Sequence, residues 1–98
     1  MHANYFEAIL QIRPKKQSIL EFVRNDCLRN GIMISKEISK DFGYDLYLSS
    51  RKYTVQVSKK LKKSFGGTLT FSKTLHTRNR MSIKLVYRIT VLYMSKQF

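Results

Sequence analysis

Near its C-terminal end the chain reads KLVYRITVLYM, from Lys84 to Met94. One side of this run carries Leu85, Tyr87, Ile89, Val91 and Tyr93; the other carries Val86, Arg88, Thr90 and Leu92. β-Branched and aromatic residues suit a pleated backbone, and the alternation marks a strand. The first side is the expected core face. A strand with so few polar breaks belongs inside a sheet rather than at its edge. The rest of the chain must therefore build a sheet around it and a layer over it.

Periodicity supplies both. Tyr5 to Arg13 alternates, with Phe6, Ala8, Leu10 and Ile12 on one side. Pro14 ends that strand, because it has no amide to donate. Lys15 to Asn30 reads as a helix whose apolar face holds Ile19, Leu20, Val23 and Cys27, with Phe22 at its edge and Asn30-Gly31 as its stop. Ile32 to Asp41 and Tyr44 to Ser49 read as two strands joined at Phe42-Gly43. Ile32, Ile34 and Ile38 mark the core face of the first, although the spacing slips near Lys36-Glu37. Leu46 and Leu48 point inward in the second, and Asp45, Tyr47 and Ser49 outward.

A second helix follows. Ser50 is its expected N-cap, since a serine hydroxyl accepts from a free first-turn amide. Tyr53, Val57 and Leu61 form its buried stripe, with Thr54 and Phe65 at the margins, and Gly66-Gly67 ends it. Thr68 to Leu75 alternates as a strand, and His76 to Ser82 reads as a polar, basic loop. The order is β-α-β-β-α-β-β. Two helices between antiparallel strands pack most simply on one face of the sheet. The expected fold is an α+β two-layer sandwich with an antiparallel sheet, close to the ferredoxin-like split βαβ arrangement plus a final hairpin strand. Residues 1–98 are read as a single domain.

Charge then bounds the function. Lys and Arg number 19 against 6 acidic residues, a formal net charge of +13. Such an imbalance opposes compaction, and its usual partners are nucleic acid or an anionic membrane surface. A membrane surface ranks low, because the apolar stripe of the basic helix is needed for the core. No run approaches the roughly 18 apolar residues of a membrane span, and no signal-peptide pattern opens the chain. One cysteine, Cys27, excludes an internal disulfide and is read as a small core residue. The expected location is cytoplasmic.

Catalysis has little to stand on. Glu7, Glu21, Asp26, Glu37, Asp41 and Asp45 lie in separate elements. His2, Cys27 and His76 lack zinc-ligand spacing, and no Walker loop, nucleophile elbow or dinucleotide fingerprint is present. The chain is read as no enzyme, with no catalytic residue, metal or cofactor. Its polyanion-binding candidates lie in two places. At 100° per residue, Lys52, Lys59 and Lys63 share a strip opposite the buried stripe of the second helix, with Lys62 beside it. Lys73, Arg78, Arg80 and Lys84 bracket the last loop, with His76 among them and Asn79 able to reach a base or sugar. Arginine offers a planar fork for phosphate oxygens and lysine a point charge. The plain alternative for both is a solvated face. The sheet face away from the helices is read to present Tyr5, Tyr47 and Arg88, a weaker set that would stack on bases or cover the sheet.

Several segments together resemble a known family. These are NYFEAILQIR after a histidine, DLYLSSRKY, KKLKKSFGG, LHTRNR and VYRITVLY. From His2 to about Tyr93 the chain resembles the middle region of the ribosomal large-subunit export adaptor family, the nonsense-mediated-decay protein three family, in its archaeal form. The resemblance implies a partner in the large ribosomal subunit, bound at its joining face in eukaryotic members. It also implies upstream CxxC zinc modules and an export tail that this chain does not carry, so the chain is read as one domain of a longer protein. No individual contact is carried over. The expected function is an RNA- and ribosome-binding domain of a large-subunit biogenesis or export-adaptor-like factor, with ribosomal RNA and ribosomal proteins as partners. The alternative is a structural domain that packs on neighbouring domains or ribosomal proteins.

Overall fold

The computed structural model describes residues 6–79 and 84–95. The elements are β1 (Ala8–Arg13), α1 (Gln17–Arg29), β2 (Ile34–Lys40), β3 (Gly43–Leu48), α2 (Arg51–Phe65), β4 (Thr68–Asn79) and β5 (Lys84–Met94). Five strands form one sheet in the order β2-β3-β1-β5-β4. β2, β3 and β1 are antiparallel neighbours, and β4 is antiparallel to β5. β5 runs parallel to β1.

The α+β class holds, but the antiparallel, ferredoxin-like sheet does not form. In that arrangement the strand after the second helix would lie beside β1. Here β4 passes to the edge, and β5 returns into the place beside β1. The physical reason lies in the two sequences. Thr68, Thr70, Ser72 and Lys73 of β4 are exposed, as suits an edge, whereas Val91 and Tyr93 of β5 are fully buried and Leu92 on its other side is half-buried.

Register fixes the faces. Leu10 stands opposite Leu46 and Val91, and Ile12 opposite Tyr44 and Tyr93. These residues join Ile19, Leu20, Val23 and Cys27 of α1 and Tyr53, Val57 and Leu61 of α2 in one core. Both helices therefore cover the same face. Phe22 and Phe65 close its rim edge to face, with centroids 5.6 Å apart. α2 begins where the Tyr53 amide donates to Ser50 Oγ at 3.1 Å. It ends at Gly66 and Gly67, with φ of 74° and 103°. A Cβ on Gly67 would collide with the Met94 carbonyl.

Two further expectations are corrected. β1 begins at Ala8, and Phe6 lies across from the core face because the chain bends at Glu7; Tyr5 lies outside the described residues. In β2 the register shifts between Ile34 and Lys36, so Ile34 packs on the core while Ile38 stands opposite Asp45 on the open face. Asp45 does lie on that open face, yet it is buried, gripped by Arg13 and Lys40 at 2.9 and 3.0 Å.

β4 also runs on as a strand to Asn79, with an irregularity between Leu75 and Thr77, where a loop is expected from the sequence. β1 meets β5 from Ala8–Ile89 to Arg13–Met94 only. Beyond Ile89, β4 and β5 continue as a two-stranded arm out to the Asn79–Lys84 pair. From Ile89 to Lys84 is roughly 16 Å at strand rise.

Candidate nucleic-acid interface

The outer face of α2 forms because its inner face is committed. Tyr53, Thr54, Val57, Ser58 and Leu61 are buried, and Thr54 and Ser58 turn their hydroxyls onto carbonyls one turn back, Ser50 and Thr54. Lys52, Lys59 and Lys63 are left exposed on the opposite strip. They span about 16 Å of helix at 1.5 Å per residue. Lys60 differs, because its ammonium reaches Asp26 of α1 at 3.3 Å.

The arm root meets the start of this row. Arg51 Nη1 donates to the Tyr87 carbonyl at 2.8 Å, and the exposed Lys73 places Nζ 5.3 Å from the Tyr87 ring centroid. Lys52 at the start of α2, Arg51 and Lys73 therefore stand at one end of the molecule. Lys59 and Lys63 lie further along α2, away from the arm. Arg78 and Lys84 sit at backbone pairs of the arm, opposite Leu85 and Asn79; Arg80 lies outside the described residues. Arg51 is the residue the sequence reading missed. Its position immediately after the N-cap Ser50 was the available signal, but nothing local reveals that Tyr87 lies there.

The acidic residues sharpen this distribution. Arg24 binds Glu37 through two bonds of 2.6 and 3.0 Å and also reaches Glu21 at 3.0 Å. Asp26 accepts from Tyr53 Oη at 2.6 Å and from Arg29 at 3.0 Å. Asp45 holds Arg13 and Lys40. Glu7 accepts from the Arg51 amide at 3.0 Å, placing negative charge at the positive end of the α2 dipole. Four carboxylates, Glu21, Asp26, Glu37 and Asp45, thus neutralise Arg13, Arg24, Arg29, Lys40 and Lys60. Lys52, Lys59 and Lys63 make no ion pair among the described residues. No helix of the described chain is long and apolar enough to cross a membrane.

Burial pushes the Cys27 thiol pKa up, so Cys27 is held as a neutral core group. Burial and the Asp26 carboxylate push Tyr53 up as well.

No curated protein matches the chain. The family model described as NMD3, second domain, matches residues 5–93. That match runs from ahead of β1 to Tyr93 in the last turn of sheet, and takes in both helices and the whole of the arm. It bears out the resemblance seen in the sequence: the chain belongs to the NMD3 family and corresponds to its second domain.

Proposed function

We propose that this domain docks a large-subunit biogenesis or export-adaptor-like factor onto ribosomal RNA, through the lysine row of α2 and the basic arm of β4 and β5. It acts as a cytoplasmic binding module with no catalysis of its own. The observation that carries this is the segregation of charge. Carboxylates bind Arg13, Arg24, Arg29, Lys40 and Lys60, while Lys52, Lys59 and Lys63 stand exposed without one among the described residues. Each phosphate that such a row neutralises releases counterions, which favours binding to a polyanion. Membership of the NMD3 family supports ribosome-related partners.

A second reading, packing on a neighbouring domain or ribosomal protein, draws on Leu28 and Phe71, which are 81% and 51% exposed. Binding to large-subunit ribosomal RNA, against an unrelated RNA of equal length, separates the two across a salt series. The docking reading expects a preference for ribosomal RNA that persists near physiological salt. It also expects the Lys52→Gln, Lys59→Gln, Lys63→Gln chain to lose about 2 from the slope of log K against log salt. An unchanged slope removes α2 from the interface. Equal affinities for both RNAs that collapse together favour the protein-packing reading.

A further inference from the structure

The open face of the sheet carries a row of four side chains running across the strands. Arg88 of β5 sets its guanidinium carbon 3.7 Å from the Phe6 ring centroid, and its Nε donates to the Phe6 carbonyl at 3.1 Å. Phe6 meets Tyr47 of β3 edge to face, with centroids 4.8 Å apart and planes at 79°. Lys36 of β2 places Nζ 5.8 Å from the Tyr47 ring. The row follows the sheet order β5, β1, β3, β2. Neighbouring strands stand about 4.8 Å apart, so it spans roughly 14 Å. Phe6, Ser35, Lys36 and Tyr47 line a shallow pocket of about 150 Å³ within it.

The bend at Glu7 builds this row. The Glu7 amide donates to the Leu48 carbonyl at 2.9 Å, and its carbonyl accepts from the Ile89 amide at 3.2 Å. Its carboxylate turns to the Arg51 amide on the helix layer. Ala8 then enters the core, and Phe6 emerges on the opposite face against Tyr47 and Arg88. Both helices cover the other side, so no helix of the described chain lies over the row.

The chemistry is a cation at each end with two aromatic rings between. Arg88 already covers one face of Phe6, so bases would stack on the remaining ring faces and the outer face of the guanidinium, and the end cations meet phosphates. Arg88 is held by its Nε bond and its ring contact, which pre-orients its guanidinium as a further stacking plane. Asp45, a carboxylate on this face, is already bound by Arg13 and Lys40, so it does not oppose an anionic strand. A duplex keeps its base faces stacked and offers none to a sheet. We infer that the row Arg88, Phe6, Tyr47, Lys36 is a site for the unpaired bases of single-stranded RNA, distinct from the phosphate-binding row of α2. It rests on the RNA-docking role proposed above, to which it adds the feature of RNA recognised. The span suits two or three bases, the number that sheet-borne aromatics stack in RNA-recognition domains.

The test is fluorescence anisotropy of the full chain with a short mixed-sequence single-stranded ribo-oligonucleotide and with an abasic strand of the same length. The base-bearing strand is expected to bind about tenfold tighter. Tyr47→Leu and Phe6→Leu, which keep an apolar cover, are each expected to erase that preference and leave abasic binding and the salt slope unchanged. Equal binding of the two strands by the unmodified chain overturns the inference, and that comparison needs no variant. So does a preference that survives in both variants at an unchanged melting temperature. The three-lysine α2 variant is expected to weaken both strands alike. If it binds both as the unmodified chain does, the α2 reading fails while the base preference still stands for the sheet.

Discussion

Replacing Tyr53 with phenylalanine removes one hydroxyl from the seam between the helices. That hydroxyl donates to Asp26 at 2.6 Å, and Asp26 is only 2% exposed. Burial alone would raise the Asp26 pKa. The hydrogen bonds from Tyr53, Lys60 and Arg29 outweigh it and hold the carboxyl below its ordinary 3.8. The Lys60 and Arg29 side chains are 52% and 70% exposed, so each pair is worth less than about 1 kcal/mol. The Tyr53 bond is buried and charge-assisted, worth about 2 kcal/mol. Tyr53→Phe is therefore expected to cost about 2 kcal/mol at neutral pH, a fall in Tm of roughly 8 °C for a domain of this size. Asp26→Ala costs more, about 3 kcal/mol, because the buried hydroxyl then lacks its acceptor. The double variant should lose less than the two single losses added together.

pH gives an independent check on the same bond. The folded-state pKa of Asp26 lies below its unfolded value. Its stabilisation is therefore complete above the unfolded value and is lost as pH falls through the folded one. Urea unfolding of the four chains at neutral pH and in strong acid should show the Tyr53→Phe deficit shrinking in acid. Additive losses that are the same at both pH values would refute the assignment of this bond as the link between α1 and α2.

Other substitutions probe single contacts. Ser50→Ala removes the α2 cap and is expected to cost about 1 kcal/mol by urea unfolding, with RNA affinity unchanged. Gly67→Ala combines a φ of 103° with a clash on the Met94 carbonyl, and should lower stability by more than about 1 kcal/mol in the same assay. Asp45→Ala leaves the Arg13 side chain, only 15% exposed, with carbonyl acceptors alone. A loss near 3 kcal/mol by thermal melting is expected, and a loss under about 1 kcal/mol would mean that Lys40 and Arg13 do not depend on it.

The basic surface was only half legible beforehand. Lys52, Lys59 and Lys63 are placed by helical geometry, since spacing fixes which residues share a strip once the opposite strip is apolar. That no carboxylate among the described residues pairs with them was not legible, because Asp26 meets Tyr53 and Lys60 across 27 and 34 residues of chain. Phe6 was misread for a local reason. Alternation assigns faces only within a strand, and the bend at Glu7 ends the strand before reaching it.

The sequence by itself determined most of the elements and of the core: two helices, the second capped by Ser50, the stripes Ile19, Val23, Cys27 and Tyr53, Val57, Leu61, and the buried face of β5. Those are consequences of neighbouring residues and backbone period, which operate within one element. Only the tertiary structure decided the strand order, the parallel pairing of β5 with β1, the arm, and the aromatic row on the open face. Backbone hydrogen bonds between strands are alike whichever strands form them, so periodicity does not say which pair. That choice is made where burial is shared: β5, with a wholly apolar core side and Leu92 half-buried on the other, takes the inner place, and β4, with its threonines and Lys73, takes the edge.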